Sequence, residues 1–206
     1  MALVKYNNNS ISAVTAAAAI PSGALTHIKT LTASSSATLS FVHGASDVVL
    51  DSTYPIYVFK FYNIHPATDQ VDLMYNFSVD TGSNYNVTKT STKILAYHKE
   101  DGSDTNLQYN TALDIAQGTG FDSVVSDVGN ENDEATSGTL HLFNPSSTTF
   151  VKNYLIRGSL NNGVYAQDEI KGGYANTTSA IDAVQFKMAS GNMDSGTIKL
   201  YGIKDS

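Results

Sequence analysis

The stretch Val71-Asp72-Leu73-Met74-Tyr75-Asn76-Phe77-Ser78-Val79-Asp80 decides the fold class. Val71, Leu73, Tyr75, Phe77 and Val79 share one parity, while Asp72, Met74, Asn76, Ser78 and Asp80 share the other. Period two is the pleat of a β-strand with one buried face and one mostly polar face. Just upstream, Ile56-Tyr57-Val58-Phe59-Lys60-Phe61-Tyr62 is apolar on both parities. Such a run marks a central strand covered on both sides, or one that contacts a partner subunit. Leu39 and Phe41 alternate with Thr38 and Ser40, and further strands are expected over 93–98, 139–143, 149–157, 181–188 and 197–203. The expected core is Phe59, Phe61, Leu73, Phe77, Val184, Phe186, Ile198 and Leu200.

Turn chemistry separates these segments. Asp80-Thr81-Gly82-Ser83, Asp101-Gly102-Ser103, Asn144-Pro145-Ser146-Ser147, Asn161-Asn162-Gly163 and Ser190-Gly191-Asn192 all read as turns. The string from Ser190 to Gly196 reads as a hairpin loop between two strands. One helical candidate covers 107–117, with Leu107, Leu113 and Ile115 as its apolar residues and Gly118 as its stop. About ten strands with short turns and no βαβ spacing predict an all-β antiparallel β-sandwich, of jelly-roll type. Composition agrees. Ser (23), Thr (21), Asn (17) and Gly (15) dominate the 206 residues, whereas there are four Glu and one Arg, too few for a helical bundle. Twelve Tyr and eight Phe need a core, which argues against disorder.

Residues 1–24 differ from the rest, being Asn-rich, then Ala-rich, then broken at Pro21-Ser22-Gly23. They read as an N-terminal arm or linker preceding a β-sandwich domain over 25–206. The short run Ala13-Val14-Thr15-Ala16-Ala17-Ala18-Ala19-Ile20 lacks Leu and follows a polar Asn tract, so a retained arm fits better than a cleaved signal peptide.

Charge excludes several function classes. The net charge is −7, and eleven scattered Lys with a lone Arg157 supply no basic patch for nucleic acid or an anionic membrane. No segment is long and apolar enough to span a bilayer as a helix. The chain has no Cys, hence no disulfide framework, thiolate metal site or Cys nucleophile. No Gly-x-Ser-x-Gly elbow is present, and Gly118-Thr119-Gly120 lacks the Lys of a phosphate loop. Fifteen Asp and four Glu specify no glycosidase pair without geometry. The acidic run Asp127-Val128-Gly129-Asn130-Glu131-Asn132-Asp133-Glu134 reads as a solvated surface loop rather than an ion site. His27, His43, His65, His98 and His141 show no metal-ligand spacing. His65-Pro66 reads as a turn after a buried strand, and His141 as facing solvent or a partner. No catalytic residue, cofactor or metal is therefore expected. The one class of ligand that the residues suggest is a glycan, because aromatic rings stack on sugar faces. Tyr85, Tyr109, Tyr165 and Tyr174 lie in or near expected loops and are the candidate contacts.

Several strings resemble a family of small virion structural proteins from marine tailed bacteriophages of the cyanophage type. They include Lys5-Tyr6-Asn7-Asn8-Asn9-Ser10, Ala33-Ser34-Ser35-Ser36-Ala37 and Asn63-Ile64-His65-Pro66-Ala67-Thr68-Asp69. They continue with His141-Leu142-Phe143-Asn144-Pro145-Ser146-Ser147-Thr148-Thr149-Phe150-Val151-Lys152. They end with Thr177-Thr178-Ser179-Ala180-Ile181-Asp182-Ala183-Val184-Gln185-Phe186-Lys187-Met188 and Ser195-Gly196-Thr197-Ile198-Lys199-Leu200-Tyr201-Gly202-Ile203. The resemblance runs nearly end to end, and none of these strings is catalytic. It implies a non-enzymatic structural protein on the virion surface, assembled in the host bacterial cytoplasm. Tail fibre, tail tip and capsid decoration are all compatible with it. The implied partners are other virion proteins and further copies of the chain. A carbohydrate-binding adhesin recognising a host surface glycan is the alternative.

Overall fold

Period-two sequence becomes twelve strands in the computed structural model, which describes residues 25–204. The arm expected over 1–24 lies outside the described residues. The strands are β1 (Leu25–Ser36), β2 (Leu39–Val42), β3 (Ile56–Pro66), β4 (Val71–Ser78), β5 (Lys89–Lys99) and β6 (Thr105–Tyr109). They continue with β7 (Asp122–Val128), β8 (Ala135–Phe143), β9 (Lys152–Asn161), β10 (Tyr165–Ala175), β11 (Ala183–Met188) and β12 (Met193–Ile203). No helix occurs among the described residues.

Two antiparallel sheets pack as a sandwich. The larger runs β1-β12-β3-β8-β9-β10-β5-β6 and the smaller β2-β11-β4-β7. Set aside β5-β6 and β9-β10, and two four-stranded sheets remain, with β1-β12-β3-β8 facing β2-β11-β4-β7. Their connections cross from sheet to sheet at β1–β2, β3–β4, β7–β8 and β11–β12, an order consistent with the expected jelly roll. The four remaining strands extend the larger sheet on one side.

All eight expected core residues are buried, none more than 1% exposed. Aromatic rings close the two sheets on each other. Phe59 of β3 meets Phe41 of β2 and Phe186 of β11 at 5.3 and 5.6 Å, and Tyr154 of β9 meets Tyr75 and Phe77 of β4 at 5.6 and 5.4 Å. These separations lie in the favoured range for aromatic pairs. The run 56–62 lies in β3, a central strand between β12 and β8. Its inward Tyr57, Phe59 and Phe61 are buried, and so is outward Val58, flanked in register by His141 and Tyr201.

Four local expectations are corrected. The stretch 107–117 is not a helix: Leu107 and Tyr109 alternate with Gln108 and pair with Ala96 and Ile94 in β6, after which the chain turns at Asn110. Two apolar residues at period two, beside Asn106, Asn110 and Thr111, favour strand and turn over helix. The 190–196 string does not close a hairpin, since β11 and β12 belong to different sheets and the loop crosses between them. His65-Pro66 does not follow a strand but ends β3, where a His65 ring nitrogen lies 3.1 Å from the Glu131 carbonyl. The run 127–134 is not a wholly solvated loop. Asp127 and Val128 belong to β7, and Glu134 is buried, with its carboxylate accepting the Glu131 backbone N–H at 2.9 Å. The Asp101-Gly102-Ser103 and Asn161-Asn162-Gly163 turns do join paired strands, and Gly102 and Gly163 adopt the positive φ (73° and 74°) that such turns need.

Candidate functional site

In the extension of the larger sheet the usual polarity is inverted. On β5 the inward residues are Lys89, Ser91, Lys93, Leu95 and Tyr97, and on β10 they are Tyr165, Gln167, Glu169 and Lys171. Lys89, Lys93, Lys171 and Glu169 are at most 1% exposed. The outward residues include Ile94 and Ile170, which face each other in register and are 44% and 45% exposed. Burying charge is costly unless each group is paired and hydrogen-bonded. Here each is. Lys93 pairs with Glu169 at 2.7 Å and donates to Ser123 Oγ at 3.1 Å. Lys171 pairs with Asp122 and donates to the Leu113 carbonyl at 2.9 Å. Asp122 also accepts from Tyr75 and Ser91 at 3.0 and 2.9 Å. Lys89 donates to Asn76 Oδ1 at 2.6 Å, the Gly120 carbonyl at 2.9 Å and the Val87 carbonyl at 3.0 Å.

The network joins the two sheets. Asp122, Ser123 and Ser126 come from β7 of the smaller sheet, while the lysines and Glu169 come from the larger. Beyond β6, the segment between β6 and β7 runs along the edge of β5, bonding to its backbone at Lys89, Ser91 and Lys93, and its Leu113 and Gly120 carbonyls cap two of the ammonium groups. Burial holds Lys89 down at about 8, with Asp122 opposing the shift and Lys171 adding to it. Burial likewise lowers Lys171, against the pull of Asp122. In chemical terms the cluster is closed. The hydroxyls that touch the cluster's carboxylates, Ser91 and Tyr75 on Asp122 and Ser126 on Glu169, meet groups already held by ammonium ions, so neither carboxylate is a free base.

Further along β5 and β10, a cleft of about 220 Å³ is lined by Leu95, Tyr97, Asp127, Tyr165 and Gln167. The Tyr97 and Tyr165 rings meet edge to face at 5.2 Å. The Tyr97 hydroxyl is turned away to Asp104 at 3.2 Å. Gln167 is 8% exposed as a residue; its carboxamide hydrogen-bonds to no described residue and meets solvent in the cleft. Asp127 closes β7 with a φ of 55°, its backbone N–H held by Asp72 Oδ1 at 3.2 Å. Partial burial raises its carboxyl above the ordinary range, with Asp72 adding and Lys93 opposing. A wider depression of about 530 Å³ lies on the outer face beside Gly138 and Gly158. Its charged groups, Arg157 and Asp168, satisfy each other in a bidentate pair at 3.0 and 2.7 Å.

The four tyrosines singled out from sequence do not gather. Tyr165 lines the cleft. Tyr109 stands on the outer face of β6 with its hydroxyl on Asp114, and the Tyr174 hydroxyl accepts from Gln117 at 3.1 Å. Tyr85 lies between β4 and β5, its carbonyl accepting from Asn76 at 2.6 Å. Sequence reasoning missed Tyr97, Asp127 and Gln167 as a group because β5, β7 and β10 bring them together from distant positions. No cluster of three His, Asp or Glu side chains able to hold a metal occurs among the described residues. The chain matches no protein-family model, no curated protein and no solved structure.

Proposed function

We propose that the chain is a non-enzymatic structural protein of a bacteriophage virion, displayed on the particle surface as a tail-fibre or tip component or as a capsid decoration. The end-to-end resemblance of its strings to virion structural proteins supports the identity of the particle. The carrying observation is the inverted polarity of the sheet extension. The lysines and Glu169 there are committed inward to a closed network, while Ile94, Ile170, Leu155, Tyr109 and Leu107 lie outward and exposed, Leu107 by 72%, beside the solvated Arg157–Asp168 pair. Ile170, Ile94 and Tyr109 form one continuous cross-strand row. A contiguous apolar face of this kind serves association.

Strand β6 strengthens the reading. It is the last strand of the larger sheet, all five of its residues are exposed, and Thr105-Asn106-Leu107-Gln108-Tyr109 contains neither charge nor proline. Natural edges meant to stay single carry such devices. An unprotected edge beside an apolar face suits pairing with another copy or another virion protein. Cysteine-free stability suits folding in a bacterial cytoplasm, since the sandwich is cross-linked by ion pairs instead. The experiment is light scattering of the purified chain and of Leu107→Lys. The reading expects an oligomer that the charged edge dissociates. A monomeric parent with an intact fold, absent from purified particles, would refute it.

A further inference from the structure

We propose that the Tyr97–Tyr165 cleft binds one uncharged pyranose unit of a glycan. This goes beyond the structural role, which rests on the opposite face of the same sheet and is read by a different measurement. Three features select the ligand. First, the cleft of about 220 Å³ is smaller than the clefts of drug-sized ligands, roughly 300–1,000 Å³, and suits a single sugar ring. Second, the Gln167 carboxamide lines the cleft, hydrogen-bonds to no described residue and meets solvent there, although the residue as a whole is only 8% exposed. A ligand that covers this amide must offer both a donor and an acceptor in place of the displaced water. Adjacent sugar hydroxyls offer both. Third, Asp127 lines the same space and its carboxylate accepts hydrogen bonds from hydroxyls, while Tyr165 and Leu95 supply the apolar surface on which the C–H face of a pyranose lies.

The same groups exclude competitors. Two aromatic rings and a carboxylate also resemble a cage for a quaternary ammonium ion. Such a cation has no acceptor for the Gln167 N–H groups, which it would strip of water and leave unpaired. An acidic sugar would place a second carboxylate beside Asp127, whose neighbour Asp72 already disfavours added negative charge. The site thus selects a neutral, hydroxyl-rich ring.

The test is a nuclear magnetic resonance titration of the isotope-labelled full chain. Its arms are methyl glucoside, methyl galactoside, methyl mannoside, N-acetylglucosamine, glucuronate and choline. At least one neutral sugar should bind saturably with a Kd on the order of 1 mM and shift the amides of Tyr97, Asp127, Tyr165 and Gln167. Glucuronate and choline should bind at least about tenfold more weakly. Tyr165→Ala and Gln167→Leu should each weaken the neutral sugar about tenfold in a protein whose remaining spectrum is unchanged, and Tyr109→Ala should leave it unaltered. The proposal is overturned if no neutral sugar shifts those amides saturably, or if choline or glucuronate binds as tightly. It is also overturned if both folded cleft variants keep the parent Kd.

Discussion

Removing the charge of Asp122 should cost about as much as any single change in this protein. The carboxylate is 4% exposed and accepts from Lys171, from the Tyr75 hydroxyl at 3.0 Å and from the Ser91 hydroxyl at 2.9 Å. In Asp122→Asn the Lys171 ammonium, itself 1% exposed, keeps the Leu113 carbonyl but loses its counter-ion. Breaking a buried pair on one side costs about 3–5 kcal/mol, because an uncompensated charge is left inside. That is a large part of the roughly 5–15 kcal/mol that holds a typical domain folded. For a chain of this size it corresponds to a fall in Tm of about 6–20 °C. Adding Lys171→Met should recover more than half of the loss, since an apolar group of similar length removes the orphaned charge. Urea titration followed by circular dichroism reads both variants. A loss below about 1 kcal/mol for Asp122→Asn would mean that water reaches the pair, and the closed network would not exist as described.

Phe186→Ala should cost roughly 3–5 kcal/mol in the same titration, because Phe186 is fully buried between Phe41 and Phe59. Arg157→Ala should leave stability unchanged, since its pair with Asp168 lies in solvent. Stability should rise between about pH 8 and pH 10. There the folded chain has released the Lys89 proton that the unfolded chain still holds, and Lys171 and Lys152 are shifted the same way. Above about pH 10 stability should fall. Tyrosines ionise there in the unfolded chain, while burial pushes Tyr57 up to about 12 and holds Tyr75 and Tyr154 well above the ordinary phenol value. A pH series of melting temperatures checks both slopes.

The original core was legible because period two speaks plainly where one face is apolar and the other polar, as in Val71–Ser78. The same rule misleads in β5 and β10. Placing Ile94 and Ile170 inside and Lys93 and Lys171 outside would be the natural parity, yet the sheet takes the reverse register. Hydrophobicity alone cannot report that choice. The decision rests on Asp122 and Glu169 lying opposite the lysines, and such partners are set by topology, not by neighbouring sequence. The cleft shows the same limit. A tyrosine at the start of β10 could be suspected, but its company of Tyr97, Asp127 and Gln167 depends on how three strands meet. Edge strand β6 is illegible in the sequence because five residues give too short a window for either period.

The central claim is that this sandwich is a surface component of a phage particle. An electron-microscopy reconstruction of purified particles, joined to mass spectrometry of their proteins, tests it most directly. The account predicts density for two packed sheets at the exterior of the tail or on the capsid, with β6 and the Ile94–Ile170 face turned against a neighbouring chain. Particles that lack the chain, or hold it with that face bare to solvent, would contradict it.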